Sequence, residues 1–373
     1  MKKRMSFRGR ATTAVVVFFA AVFALPASRS GDGTLWMLAA VIPGVMLILL
    51  LLPSRVLFLD RPSLAAALAL AGFWIMAGVY SSPAAVLSRA VCCAGALFFL
   101  LLGAVLVRSF RASFPAAALS AVIALGMLSC PLWYSGSFSL NGAGIALLLF
   151  SAAAFLPLRM YLPALGSVLC GLLLLLLQQS LPASFLLGLS CVLLFWASSG
   201  SGLWSGISLA AVGGLLTVYI GFLFPLTGDS AASLLPRIAA ASLLAPETPA
   251  GLVSDADPLF ILLGEQYGLV FLLLALFLLC LLLIRGSSLA LGARTSFHAS
   301  LALGAVLFFG LRALLFMLTL AGILPFAAGE LPFMTDSVPD LCADFLLLGL
   351  LSGVSARNET DLEEDARLSM LAR

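Results

Sequence analysis

The sequence predicts an all-α, polytopic integral membrane protein with about twelve transmembrane helices. Three observations carry this. The 373-residue chain is 63% hydrophobic and only 9% charged, against about 25% charged residues in soluble domains. Its mean hydropathy is +1.20. Apolar runs of about 17–25 residues recur along the whole length, each long enough to cross a hydrocarbon core of about 30 Å.

Taken in order, the runs lie near 11–28, 34–53, 63–82, 85–108, 114–132, 141–157, 160–177, 183–199, 203–226, 258–284, 298–324 and 341–356. The tight loops between most of them leave no room for a soluble domain. The first run follows a basic patch, Lys2-Lys3-Arg4…Arg8…Arg10. That patch resembles a signal-peptide start. The run ends at Ala24-Leu-Pro-Ala-Ser and leads straight to another apolar span, so it reads as an uncleaved first helix. Arginines favour cytoplasmic loops. Arg55, Arg61, Arg108, Arg111, Arg159, Arg285 and Arg294 all fall on the side of the N-terminus; Arg29, Arg89 and Arg237 fall on the other. Twelve crossings then put both termini in the cytoplasm. After Arg357 the chain ends in an acidic stretch, read as a solvated, mobile tail.

Two polar loops belong to the outer side. The longer, 227–257, contains Asp229, Arg237, Glu247, Asp255 and Asp257; the second, 325–340, contains Glu330, Asp336, Asp340 and three prolines. Long loops in compact proteins are commonly functional, although charge alone fits simple solvation equally well. Neither a phosphate-binding glycine loop, nor a nucleophile elbow, nor an HExxH pair is written in the sequence. No nucleic-acid module is present. The seven cysteines form no Cys-x-x-Cys pair and read as small apolar packing residues. His298, the only histidine, excludes a His-rich metal site and reads as a solvated loop residue near Arg294.

The most informative segment is Asp257-Pro-Leu-Phe-Ile-Leu-Leu-Gly264-Glu265-Gln-Tyr-Gly268. It puts one carboxylate at the mouth of a long apolar helix and a second inside it. An acid within a bilayer helix is costly and marks a functional-site candidate. Asp257 also suits a helix cap, with Pro258 at the first helical position. Glu265 and Arg312, both within spans, read as a structural ion pair or as supporting catalytic groups. Arg237 and Arg89 are outer cations able to meet pyrophosphate. A divalent cation, Mg or Mn, suits pyrophosphate chemistry, but no ligand set in the sequence identifies one.

Several segments, in order along residues 60–356, resemble the SEDS proteins (shape, elongation, division and sporulation), the FtsW, RodA and SpoVE group. Asp60-Arg-Pro-Ser-Leu…Gly78-Val-Tyr-Ser-Ser82 resembles the family's opening Asp…Val-Tyr-Ser-Ala-Ser helix. Trp133…Phe138-Ser-Leu-Asn141 resembles Trp…Gln-Pro-Ser-Glu-x-x-Lys, and Gln178-Gln-Ser180-Leu-Pro-Ala-Ser lies where the family has Gln-Pro-Asp-Leu-Gly-Thr-Ala. Asp257 to Gly268 is similar to Thr-Asp-Phe-Ile-Phe-Ala-x-x-Gly-Glu-Glu-x-Gly. Gly322-Ile-Leu-Pro325…Leu331-Pro-Phe333 is similar to Gly-Leu-Leu-Pro…Pro-Leu-Pro-Phe.

The family's helix-four Glu and Lys fall on Gly142 and Ile145, and its Pro-Asp-Leu-Gly aspartate falls on Ser180. Its Tyr-Gly-Gly-Ser becomes Asp336-Ser-Val-Pro339, and its penultimate-helix Gln and Asn become Arg312 and Phe316. The resemblance implies residues 1–59 as a basic start plus two additional helices. It implies 60–356 as a ten-helix SEDS-like core with outer loop 227–257, and 357–373 as an acidic cytoplasmic tail.

The activity implied is a lipid II polymerase, a peptidoglycan glycosyltransferase of the bacterial cytoplasmic membrane acting in division or elongation. Its catalytic aspartate falls on Asp257, with Asp255 as the rival register. The implied partners are lipid II, a class B penicillin-binding transpeptidase and other division or elongation membrane proteins. A non-catalytic scaffold of the same machinery stands beside that reading. So do a lipid-linked precursor flippase or transporter, although no repeated halves are visible, and an oligosaccharide ligase.

Overall fold

The computed structural model describes residues 60–77, 83–109, 113–133, 140–222, 259–324 and 329–371, with a few isolated positions before residue 60. The two expected N-terminal spans and the whole 227–257 loop, with Arg237, Asp255 and Asp257, lie outside the described residues. The described chain forms eleven helices: α1 Arg61–Ala77, α2 Pro83–Ser109, α3 Phe114–Trp133, α4 Asn141–Phe155, α5 Tyr161–Leu177, α6 Leu181–Ser199, α7 Gly202–Phe222, α8 Leu259–Tyr267, α9 Leu269–Leu291, α10 Ser296–Leu320 and α11 Val338–Leu371. No strand occurs among the described residues. Seven of the helices are long and apolar enough to cross a membrane, and α1, α4 and α5 are shorter apolar helices.

Helices α1, α4, α10 and the first part of α11 form the buried centre. α1 is buried along nearly its whole length. α3, α7 and α9 expose apolar side chains such as Val122, Leu209 and Phe277 at the periphery. Such faces suit lipid rather than water. Buried hydroxyls do not break the pattern. Ser151, Ser190, Thr319 and Ser352 donate to carbonyls of the preceding turn, so each polar group is satisfied inside its own helix.

α2 and α11 run side by side at unusually close range. A Cβ on Gly103 would strike the Leu346 carbonyl, and one on Gly349 would strike the Leu100 carbonyl. Gly353 packs on Ala104 and Val107. Gly349 and Gly353 form a small-xxx-small pair, which lets two membrane helices bring their backbones together.

The expected continuous span over 258–284 is two helices. Gly268 has φ 94° and ψ 169°, a conformation essentially restricted to glycine. Its N–H closes α8 on the Gly264 carbonyl at 2.9 Å, and its carbonyl receives the Phe271 N–H at 3.2 Å. Gly264 leaves room for the fold-back, since a Cβ there would lie 2.6 Å from Leu272 Cδ1. Tyr267 then donates its hydroxyl to the Met76 carbonyl at 3.2 Å, satisfying one of the orphan carbonyls of α1's last turn.

At the opposite end of α1, Asp60 accepts from Ser63 Oγ at 2.6 Å. It also receives a forked contact from Arg285, with Nη2 2.8 Å from Oδ1 and Nε 3.1 Å from Oδ2. This fork ties α1 to α9.

One smaller expectation changes. His298 is buried rather than solvated: it occupies the first turn of α10, where Thr295 Oγ1 caps its backbone N–H at 3.2 Å. The acidic tail after Arg357 is helical, a continuation of α11 to Leu371.

Candidate functional site

The end of the bundle carrying the starts of α4, α6 and α11 encloses a cavity of about 610 Å³. Asn141, Gly142 and Ile145 of α4 form one wall, Ser180 and the first turn of α6 another, and Phe308, Arg312 and Leu315 of α10 the floor. The loop before α11 supplies Glu330, Asp336 and Ser337, and the first turn of α11 supplies Asp340.

The loop is built from its own sequence. Ser337 accepts the Asp340 N–H at 3.4 Å and begins α11, with Pro339 and Asp340 in the first turn. A hydroxyl cap, an early proline and an early acid are standard helix-start chemistry. Just before it, Phe333 is fully buried at φ 63°, a left-handed conformation costly for a bulky residue. Phe309 and Phe345 hold its ring at centroid distances of 5.2 and 5.4 Å. Its N–H donates to Asp344 Oδ2 at 2.8 Å.

Asp344 is fully buried and anchors Arg312 of the floor. Its other oxygen meets Arg312 Nη1 at 2.8 Å, with the two side chains 0% and 11% exposed. Arg312 Nε also donates to the Glu330 carbonyl at 3.1 Å. One charged pair therefore pins α10, α11 and the loop together. Arg312, which the sequence offers as a partner of Glu265, is paired with Asp344, a residue the sequence motifs do not single out. Glu265 lies on α8, and its side chain is outside the described residues.

Asp336 forms a second node. Its Oδ1 accepts from Arg89 Nη2 at 2.8 Å and from the Trp74 indole at 2.9 Å. Arg89 also donates to the Trp74 carbonyl at 2.9 Å and lies 5.5 Å from the centre of its ring. The expected outer cation Arg89 is thus held in an aromatic and carboxylate cradle. Glu330 Oε2 accepts the Asp336 N–H at 2.8 Å. Burial pushes the Glu330 carboxyl above its ordinary range, against the lowering effects of that hydrogen bond and of Arg312. Asp340 Oδ1 sits 2.5 Å from where a Cβ on Gly142 would lie. A carboxylate from α11 therefore fills the space beside the helix-four position where the SEDS resemblance has a glutamate.

Among the described residues, no group of three or more His, Cys, Asp or Glu side chains is arranged to hold a metal ion. The cavity lining carries one anchored guanidinium, Arg312, three carboxylates, Glu330, Asp336 and Asp340, and apolar side chains such as Ile145, Phe308 and Leu315.

The class this defines is a polytopic membrane protein with a RodA-like helical fold. Residues 253–360 match the sequence model of the FTSW_RODA_SPOVE family, described as Cell cycle protein. A solved chain from work on "structural coordination of polymerization and crosslinking by a peptidoglycan synthase complex" aligns with TM-score 0.61 and 21% identity, covering 80% of this chain and 98% of that one. A mutant of the Rod shape determining protein RodA from Thermus thermophilus aligns with TM-score 0.57 and 18% identity, covering 80% and 97%. No curated protein matches. The chain is thus similar to the FTSW_RODA_SPOVE family over its C-terminal segment and to these two solved structures in fold.

Proposed function

We propose that this chain is a lipid II polymerase of the bacterial cytoplasmic membrane, working with a class B penicillin-binding transpeptidase. One observation carries the reading furthest. Gly142, Ile145, Ser180, Arg312 and Asp336, positions the SEDS resemblance brings out from separate helices and a loop, all line one cavity. The end bearing Arg61, Arg159, Arg285 and Arg294 is then cytoplasmic, and the cavity faces outward, where lipid-linked disaccharide is polymerised. The solved chain with TM-score 0.61 comes from work on a peptidoglycan synthase complex, a likeness that supports a transpeptidase partner here.

The chemistry is a displacement at a sugar. An acceptor hydroxyl attacks the anomeric carbon of the donor, the bond from that carbon to the lipid pyrophosphate oxygen breaks, and the hydroxyl proton passes to a carboxylate. Asp257, in the segment that leads into α8 and within the family match, is the proposed base, with Asp255 as the rival. Arg89 and Arg237 are the proposed pyrophosphate contacts. The Mg or Mn ion that commonly accompanies a pyrophosphate would be bound mainly by the substrate's own oxygens.

A second reading is favoured by one observation: the cavity wall carries Gly142, Ile145 and Ser180 where the resemblance has Glu, Lys and Asp. A SEDS-like scaffold without turnover would show such a wall. Purified protein mixed with labelled lipid II, alone and with its transpeptidase, separates the readings. Glycan strands support the polymerase; their absence in both mixtures supports the scaffold; lipid movement across vesicles without strands supports a flippase.

A further inference from the structure

We propose that Arg89 and the Trp74 indole form an anion site for the pyrophosphate of a lipid-linked donor, and that Asp336 plugs this site until the ligand displaces it. The inference rests on the polymerase reading for the identity of the ligand, not for the existence of the site.

Two donors from two helices converge on one oxygen: Arg89 Nη2 at 2.8 Å and Trp74 Nε1 at 2.9 Å from Asp336 Oδ1. Both donors are anchored without Asp336. Trp74 is 2% exposed in the core. The Arg89 guanidinium is held by the Trp74 carbonyl at 2.9 Å and by the face of its ring. When Asp336 leaves, the donors stay in place, so an incoming anion meets a preorganised site.

The plug is the more exposed partner of the pair. The Asp336 side chain is 56% exposed, against 18% for Arg89. An ion pair that exposed contributes little, and water readily replaces it. The Asp336 backbone is tied separately through its N–H to Glu330 Oε2 at 2.8 Å. The carboxylate can therefore swing out while the loop keeps its path. Asp336 lines the cavity whereas Arg89 and Trp74 do not, so a headgroup entering there meets Asp336 before the two donors. A phosphate offers more acceptor oxygens and more charge than one carboxylate, and a guanidinium binds it in a forked geometry. Until Asp336 moves, its charge repels the same ligand, which makes the contact autoinhibitory.

The test is equilibrium binding, read without turnover. Pyrophosphate is titrated into the purified full-length protein and followed by calorimetry and ³¹P line broadening. Asp336→Ala should bind at least tenfold more tightly than the parent, and Asp336→Asn should fall between them. Arg89→Gln should bind at least tenfold more weakly, with or without Asp336→Ala. Equal affinity in the parent and both Asp336 variants overturns the plug. Unchanged binding in Arg89→Gln overturns the site.

Should Asp336→Ala fail to give monodisperse protein, Asp336→Asn alone decides. Nanodiscs of phosphatidylcholine, with added phosphatidylglycerol or undecaprenyl pyrophosphate, distinguish the sources of phosphate. Protection of the site by undecaprenyl pyrophosphate alone is expected, and protection by phosphatidylglycerol alone contradicts a lipid-linked donor. A protein that binds as expected but forms no strands keeps the site and loses the polymerase reading.

Discussion

Replacing Arg312 by Leu should destabilise the protein severely, and the structure gives the size. Asp344 is fully buried and is held by two donors, Arg312 Nη1 and the Phe333 N–H, each at 2.8 Å. With charge centres about 4 Å apart and an effective dielectric near 20, the attraction is roughly 4 kcal/mol. Removing one partner of a buried pair costs about 3–5 kcal/mol, because the other charge stays buried and uncompensated. The same change frees the Glu330 carbonyl that Arg312 Nε holds at 3.1 Å, so the loop beside the cavity loosens as well. Total stabilities are about 5–15 kcal/mol, so folded yield should drop visibly. Thermal midpoints from fluorescence-detected size exclusion in detergent give the readout. Adding Asp344→Asn to Arg312→Leu should recover part of the loss, since the amide keeps an acceptor for Phe333 N–H and removes the stranded charge. Strictly additive losses in the double-mutant cycle would refute the coupling.

Other outcomes follow from the same geometry. Gly349→Val should prevent the α2–α11 approach, since the Leu100 carbonyl already occupies the space of a Cβ; loss of monodisperse protein is expected, while the same change at Gly95, which meets nothing, should be tolerated. Gly268→Ala should cost about 1–3 kcal/mol from its positive φ, read as a lower midpoint in the same assay. The Glu330 carboxyl is raised by burial. A raised acid favours the folded state when protonated, so its contribution is present at low pH and lost as pH rises out of the ordinary carboxylate range. Glu330→Gln should therefore flatten the decline of the midpoint between acid and neutral pH; an unchanged slope would mean that another group controls it.

Much of this fold is legible in the sequence. The runs at 114–132, 141–157, 160–177 and 183–199 coincide with α3 to α6 within two residues at each end, because length and apolarity suffice to define a span. The break at Gly268 is not legible in the same way, since a single glycine in an apolar run reads as a tolerated helical residue. Only the fold-back of Leu272 onto Gly264 explains it.

Asp344 carries a legible signal that the family motifs overshadow. It is an acid inside the apolar run 341–356, the same kind of signal that marks Glu265. Gly349-x-x-x-Gly353 is legible too, as a close-packing motif. His298 reads as solvated because Arg294 lies close in sequence, whereas Thr295 caps its backbone N–H and it is buried in the first turn of α10. The acids and prolines of 325–340 mark it as a polar loop, but the pairing of Asp336 with Arg89 and Trp74 joins residues remote in sequence, which no local pattern encodes.

The central claim is that the chain polymerises lipid II with Asp257 as the base. The most direct measurement is strand formation from labelled lipid II by the purified protein with its transpeptidase, comparing the parent with Asp257→Asn and Asp255→Asn. Loss of a general base typically lowers the rate about 10²–10⁴-fold. The account predicts strands from the parent and from Asp255→Asn, and none detectable from Asp257→Asn, with membrane insertion and partner binding intact in all three. Strands from Asp257→Asn at the parent rate, or no strands from the parent in any mixture, would contradict it.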